Sequence, residues 1–481
     1  MAEQSLKDKT VKGTIWSAVE RLSSQMVQFI VMLVLARLLT PHDYGIIGML
    51  AVFIALSQSI IDSGFTQALI RKKNVTDKDF CTVFFFNIGV SVFLYFVFFL
   101  LAPFVENFYR EPNLTRVMRI LCLVIIINAF TIVPKAIFTI DLDFKIQTAA
   151  SLSAAVFSGI TGVLIALRGL GVWALVGQQL SYAIVSTTVL CFYSKWKPQF
   201  VFSICSFKEM FSFGSKLMIV GIINTFFLNL YPIVIGKLYA GSMLGYYTRG
   251  QHFAELPSMN ITSIVQRVTY PVMCKMQEDS DCFVSFFSKV LKTVAFFFFP
   301  FMCILAGISI PLVEIVLGHK WHYCGVLMVP ICFSMMWYPF NALNLNILEV
   351  VGQSNLFLKL EIIKKTISVV VLCVSVPFGV DFLCYTQSAV SLIYVVINAW
   401  YTKDYVSLTF WEQMKMYLPS LLLSLLIFAL ILITGKLVDN NWTWLIGGLL
   451  IGWSLYLFGS RIFGFSEVKE AKEILKFRRK E

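Results

Sequence analysis

The chain has 481 residues, of which 58% are hydrophobic and only 14% charged, with a mean hydropathy of +0.79. Soluble domains carry nearer 25% charged residues, so this composition excludes a water-soluble globular protein and points to a polytopic membrane protein. The formal net charge of +12 is not read as a nucleic-acid footprint, because the Lys and Arg residues fall mainly in loops and tails, as they do on the cytoplasmic side of membrane proteins.

The start, Met1 to Lys12, is polar, and no small-residue cleavage site follows the first apolar run, so no cleavable signal peptide is expected. From there hydropathy predicts about fourteen spans. They run over 14–39, 44–64, 82–104, 116–136, 148–168, 171–193, 213–236, 244–270, 288–313, 325–347, 355–377, 383–401, 415–435 and 443–463. A cytoplasmic N-terminus places Lys7, Lys9, Lys12, the 71–78 loop, the 195–208 loop and the basic tail on one side. With an even number of spans both termini lie there.

The first span carries Ser17, Glu20, Arg21, Ser24, Gln25 and Gln28 three and four residues apart, on one helical face. Lipid would leave these groups unpaired, so the stripe faces either packed protein or a water-filled path. Two ionisable residues within it favour the path. The turn Thr40-Pro41-His42-Asp43 closes a helical hairpin, because Pro cannot continue a helix. The second span adds Gln58 and Asp62 before the basic run Arg71-Lys72-Lys73.

About two hundred residues later the pattern returns. Arg37 precedes Gly45 by eight positions, and Lys237 precedes Gly245 by eight. Six spans, an even number, separate the copies, so the repeat is expected to be parallel about an axis along the membrane normal. The seventh span carries Lys216, Asn224 and Asn229. The eighth carries Thr248, Arg249, His252, Glu255, Thr262, Gln266 and Arg267, with Pro257 loosening the helix near Glu255. Arg249 and Arg267 lie toward the helix ends, where headgroup snorkelling competes with a cavity role. On the eleventh span Glu361 and Lys365 are spaced to pair with one another, and that pairing is preferred to a transport role.

The eleven cysteines form no CxxC pair and read as small buried hydrophobes. The four histidines show no metal-ligand spacing: His319 and His322 flank Lys320 and Trp321 in a short loop. No GxxxxGK[ST] loop is present, and no soluble segment is large enough to house glycosyl-transfer carboxylates. Neither a metal nor a cofactor is expected, and transport is preferred to catalysis. A membrane-embedded polymerase or ligase would need a large outer loop with basic and acidic groups. A multidrug or cation antiporter would need an acidic or apolar cavity, whereas Arg21, Lys216, Arg249 and Arg267 point to an anion.

Several stretches are more specific. They are Leu35-Ala36-Arg37-Leu38-Leu39-Thr40-Pro41 with Asp43-Tyr44-Gly45, Asp62-Ser63-Gly64-Phe65, Gln67-Ala68-Leu69-Ile70 and Ala102-Pro103. Asp141-Leu142-Asp143-Phe144-Lys145, Gly171-Val172-Trp173-Ala174-Leu175, Leu244-Gly245-Tyr246-Tyr247 with Arg249, Leu256-Pro257 and Tyr270-Pro271 complete the set. Through them the chain resembles, nearly end to end, the Wzx-type polysaccharide-repeat flippases of the multidrug/oligosaccharidyl-lipid/polysaccharide (MOP) flippase superfamily. The resemblance implies an all-α polytopic fold of about fourteen transmembrane helices, with two six-helix lobes in a parallel pseudo-two-fold repeat. These are expected over residues 1–200 and 201–405, around a V-shaped cavity, with two further helices and a basic tail over 406–481.

The resemblance also implies movement of undecaprenyl-diphosphate-linked sugars from the cytoplasmic to the outer leaflet of a bacterial cytoplasmic membrane. Membrane lipids, polysaccharide polymerases and assembly proteins are the implied neighbours. In such proteins the first, second, seventh and eighth helices line the cavity. The expected substrate contacts are therefore Arg21, Gln25, Gln28, Lys216, Arg249 and Arg267. Many relatives carry an acidic residue in the seventh helix where this chain reads Asn229-Leu230-Tyr231-Pro232, which leaves Glu20, Asp62 and Glu255 as the carboxylates for any ion coupling.

Overall fold

The structure is a computed structural model that describes residues 23–62, 65–72, 75–277, 279–465 and 467. Every regular element among them is helical. In chain order the first six are α1 (Ser23–Leu38), α2 (Pro41–Asp62), α3 (Phe65–Arg71), α4 (Asp77–Tyr109), α5 (Leu114–Leu121) and α6 (Leu123–Ala129). Next come α7 (Ile132–Ile140), α8 (Phe144–Leu167), α9 (Trp173–Tyr193), α10 (Ile204–Leu228), α11 (Leu230–Leu238), α12 (Gly241–Met276) and α13 (Ser280–Gly307). The remainder are α14 (Ser309–Leu317), α15 (His322–Met335), α16 (Tyr338–Val350), α17 (Ser354–Ser375), α18 (Val380–Val406), α19 (Phe410–Lys436) and α20 (Asn441–Ile462).

Ten helical stretches among the described residues are long and apolar enough to cross a bilayer, and the bent α10 makes eleven. Their outer faces are apolar: Phe93, Phe104, Phe157 and Leu422 are all exposed. That is the surface a protein presents to lipid, not to water. Several expected spans are broken. The run 116–136 is three short helices, α5 to α7, and 325–347 is two, α15 and α16, with Pro339 seated in the first turn of the second. The seventh span starts at Ile204, earlier than expected, kinks by 48° around Phe213, and breaks again at Asn229, whose amide donates back to the Thr225 carbonyl at 2.8 Å.

The chain folds as two compact units, Met1–Gly245 and Tyr246–Glu481. In the first, three features set the hairpin of α1 and α2. Thr40 caps α2: its hydroxyl accepts from the Asp43 N–H at 3.3 Å, while the Asp43 carboxylate accepts from the Thr40 N–H at 2.9 Å and its hydroxyl at 2.6 Å. Pro41 occupies the first helical position, where its missing N–H is not needed. The other oxygen of Asp43 lies against Gly171, which has φ +55 and where a Cβ would sit 2.9 Å from that oxygen. The Thr-Pro-x-Asp and Gly-Val-Trp stretches thus meet in the fold. Asp43→Ala should lower stability by about 1 kcal/mol, the usual worth of such a cap, seen as an earlier thermal unfolding transition in detergent; an unchanged transition would show the cap is idle.

The same device opens α4 and α19. Asp79 accepts from the Thr76 N–H at 2.9 Å, and Glu412 accepts from the Thr409 N–H at 2.7 Å. Asp79 is buried and also takes the Lys72 ammonium at 3.1 Å; Lys72 reaches Glu209 of α10 at 3.0 Å, which ties α3, α4 and α10 together. Phe65, Leu69, Val83, Phe84, Val133 and Met210 form the core beneath this ion pair.

In the second unit α19 and α20 pack on α13 through Ile304, Ile308, Ile427, Ile431 and Tyr456. Gly448 and Gly452 bring α20 against Ile304 and Ile308, the small-residue contact that membrane helices use to approach closely. A fully buried polar chain joins α16, α18 and α19: Thr402 donates to Asn344 at 3.1 Å, and Asn344 donates to Gln413 at 3.2 Å. Such bonds fix register between apolar helices, because a slip would leave amides unpaired in hydrocarbon. On α17 Glu361 pairs with Lys364, one position before the Lys365 that the spacing suggested. The buried Lys364 is one residue nearer on the same helix face.

His319 and His322 also have a structural role. Both ring Nδ1 atoms meet Oε1 of Glu314, at 2.9 and 2.7 Å, and the other oxygen accepts from Asn441, at the start of α20. Burial pushes the Glu314 carboxyl up, but hydrogen bonds from His322 and Asn441 and the nearby imidazoles outweigh it and hold it below its ordinary 4.5. Its stabilising contribution is therefore complete above about pH 4.5 and is lost as pH falls through the lower folded value. Glu314→Gln should lower the unfolding temperature at pH 7, and the gap to wild type should close on acidification below that range; a gap independent of pH would refute the ionised clasp.

Candidate functional site

The site expected from the sequence lies on the helical hairpins, and the two units hold its parts separately. Glu20 and Arg21 lie outside the described residues, and of Asp62 only the backbone, the last residue of α2, is described. The rest of the first stripe divides. Ser24 is buried and donates to Ser151 of α8 at 3.1 Å, so it belongs to a packing seam, not to a path. Gln25 is half-buried and Gln28 exposed. On α2, Gln58 accepts from Asn128 at 3.3 Å.

Along α2 in the first unit run α10, α11 and the first turn of α12. Gly221 of α10 meets the Ser59 hydroxyl, 2.7 Å from where a Cβ would stand. The exposed Lys216 lies on α10 about a turn and a half before that crossing. At the other end of α2 the contact is reciprocal. A Cβ on Gly45 would lie 1.8 Å from the Gly241 carbonyl oxygen, and a Cβ on Gly245 would lie 1.8 Å from the Pro41 carbonyl oxygen. Only glycine allows two helix backbones this close. Gly236 and Gly241 both pack on Met49, which closes the crossing from the side. His42 meets Glu111 at 3.0 Å, and Lys237 donates to the Phe108 carbonyl while its ammonium lies 4.3 Å from the Phe108 ring centroid. Sequence reasoning singled out Gly45 and Gly245 but missed Gly241. Its signal was available: Gly241 stands to Gly245 as Pro41 stands to Gly45.

In the second unit α12 carries the remaining expected residues. Gln251 donates to Glu255, Gln266 donates to Asn346 of α16 at 3.0 Å, and Ser258 donates to the Met335 carbonyl at 2.9 Å. Arg249 is half-buried, within electrostatic reach of His252, while Arg267 is exposed. Gly250 lets this part of α12 approach the Cys324 carbonyl of α15. Arg249 and Arg267 are 18 residues apart on one helix, or about 27 Å along its axis. They are therefore too far apart to hold one diphosphate at the same time, and as substrate contacts they would serve different points along a path. Among the described residues no group of three His, Cys, Asp or Glu side chains is placed to hold a metal ion.

Comparison with known proteins places this arrangement. The profile of the family described as polysaccharide biosynthesis protein matches residues 34–326. The lipopolysaccharide biosynthesis protein WzxC of Escherichia coli (strain K12) is 27% identical over 327 residues, 66% of this chain and 65% of that protein. The succinoglycan biosynthesis transport protein ExoT of Rhizobium meliloti (strain 1021) is 24% identical over 319 residues, 66% of this chain and 64% of the relative. The matches thus span just under two thirds of these relatives' lengths. In fold, the chain matches the lipid II flippase MurJ in an inward closed conformation, with a TM-score of 0.74 at 15% identity over 94% of this chain and 98% of that one. It also matches an inward-facing multidrug resistance MATE family transporter of the MOP superfamily, with a TM-score of 0.61 at 15% identity over 81% and 98%.

Proposed function

Because the chain belongs to the polysaccharide biosynthesis protein family, we propose that it moves lipid-linked oligosaccharide repeat units across the cytoplasmic membrane, as a flippase and not as an enzyme. Relatives named for lipopolysaccharide biosynthesis and for succinoglycan biosynthesis transport, and the fold shared with a lipid II flippase, support this reading. The observation that carries it is α12. In a chain with only 14% charged residues, this helix bears Arg249, His252, Glu255, Gln266 and Arg267. A charged diphosphate cannot enter hydrocarbon without groups that replace its water, and Arg supplies a planar fork for phosphate oxygens. An exporter of cations would not be served by such a helix, although its fold is also shared.

The finer architecture belongs to the same proposal. With α1, α12 and α17 counted as spans beside the eleven apolar ones, the total is fourteen. Two six-helix lobes, 1–200 and 201–405, would be related by a parallel repeat, with 406–481 outside it. The reciprocal contact of Pro41–Gly45 with Gly241–Gly245 supports this, since such reciprocity is what a pseudo-two-fold axis produces. Both termini would be cytoplasmic. The lipid tail would stay in the bilayer while the sugar crosses in water, and rocking of the lobes would alternate access. Gln25, Gln28, Lys216, Arg249 and Arg267 are the proposed contacts, with Arg21, and Glu20, Asp62 or Glu255 would couple an ion. Polymerase and assembly proteins would receive the product.

The test is delivery of polyprenyl-diphosphate-linked oligosaccharide to the far leaflet of vesicles holding the purified protein. Transport of a cationic dye with no response to the lipid-linked sugar would overturn the reading in favour of the antiporter.

A further inference from the structure

A second site lies on the first unit, at the foot of α4, α7 and α9, away from the residues discussed so far. The segment 194–203 that joins α9 to α10 lies over the first turns of α4. The Gln199 N–H meets the Cys81 sulfur at 3.4 Å, and the Ser203 N–H meets the Thr82 hydroxyl at 3.0 Å. Trp196 packs edge-on to Phe84 at 5.5 Å, and Phe200 stacks on Phe85 at 5.3 Å. Under this pinned segment is a groove of about 530 Å³. Its walls are aromatic, with Phe84, Phe85 and Phe130 among them.

Three of the groove's lining residues, Ser194, Trp196 and Lys197, carry strong hydrogen-bond donors and lie within four positions of one another in the chain. The Ser194 hydroxyl and the Trp196 indole N–H are shielded from solvent and without a hydrogen-bond partner. Lys197 lines it as its one cation, and no carboxylate is among the lining residues. An indole N–H can only donate, an ammonium can only donate, and a hydroxyl donates freely. Three donors and a positive charge beside an aromatic trough call for an anion attached to an apolar chain. Phe192 and Phe200, exposed at 81% and 98%, frame the segment as interfacial aromatics do at the headgroup level.

We propose that this groove binds one anionic phospholipid, its phosphate on Ser194, Trp196 and Lys197 and one acyl chain along Phe84, Phe85 and Phe130. The single lysine suits a phosphodiester, which carries one charge; a diphosphate carries about two and would call for a second cation. The site requires only that the chain lies in a bilayer, and it is independent of what the protein transports.

Native mass spectrometry of the delipidated full-length protein in detergent tests this, titrated in parallel with phosphatidylglycerol, phosphatidylcholine and inorganic phosphate. Phosphatidylglycerol should bind about tenfold more tightly than phosphatidylcholine, and phosphate should not displace it. Lys197→Gln and Trp196→Phe, which keep the bulk of each side chain, should each remove most of that preference, the loss of one charge-assisted or buried contact being worth about tenfold. Cys191→Trp, which fills the groove without changing charge, should abolish binding of the lipid; an unchanged lipid-free melting transition verifies the fold of each variant. Equal binding of both lipids, displacement by phosphate alone, or retention of the preference in all three variants would each overturn the assignment.

Discussion

Gly45→Ala and Gly245→Ala should each cripple the protein, although each adds a single methyl group. The added carbon would stand 1.8 Å from a backbone carbonyl oxygen, so no side-chain rotation relieves it and the helices themselves must part. Overpacking of this kind commonly costs about 1–3 kcal/mol, enough to shift the balance away from the arrangement described here by roughly five- to more than a hundredfold. Two readouts follow. Delivery of lipid-linked sugar should fall, and a cysteine at Met49, which packs on Gly236 and Gly241 and is only 2% exposed, should become reactive toward a polar maleimide. The labelling belongs in a background in which the exposed Cys191, Cys205, Cys282 and Cys373 are serines. Because the two contacts are halves of one crossing, opening it for one methyl makes room for the other, so the double variant should lose less than the sum of the singles. Wild-type labelling rates in both single variants would refute the crossing.

What could be read from the sequence, and what could not, follows the range of the interactions. The Thr40-Pro41-x-Asp43 turn was legible because its chemistry is local: cap, imino ring and carboxylate act within one helical turn. The membrane class was legible because the outer faces of the helices meet lipid whatever their neighbours do. The breaks in the expected spans were not. Pro232 and Pro339 withhold the N–H that would bond the carbonyls of Leu228 and Met335, where α10 and α15 end, but a proline in an apolar run can equally sit within a continuous helix, as Pro257 does in α12, and the break at Cys122 has no proline beside it. The polar stripe on α1 was legible as a stripe, but periodicity cannot tell a seam from a path. Ser24 turned out to be bonded to Ser151, a residue 127 positions away. The separation of Arg249 and Arg267, by contrast, was legible, because the two lie toward opposite ends of one expected span. Gly241 was missed because a glycine next to a turn looks ordinary until its counterpart at Pro41 is placed beside it.

The separation along α12 turns the charge argument into a sharper expectation. If Arg249 and Arg267 each meet the diphosphate at a different stage, removing either should lower flipping by about tenfold to a hundredfold, since one charge-assisted hydrogen bond is worth roughly 1.5–3 kcal/mol. The two losses should then behave as independent sites do, adding in free energy in the double Ala variant, because residues about 27 Å apart share no partner. A single clamp would behave differently: once one fork is lost, loss of the second would add little. Arg→Lys should retain part of the activity at each position, keeping the charge but not the bidentate fork. The positions should also differ from each other. Arg249 is half-buried and near His252, so its loss disturbs a packed site, and folding must be verified by the unfolding transition. Arg267 is exposed, so Arg267→Ala should leave stability within about 0.5 kcal/mol of wild type while still slowing transport. Full flipping activity in Arg267→Ala would return that residue to the headgroup region as an anchor, and full activity in both variants would remove the diphosphate from α12 altogether.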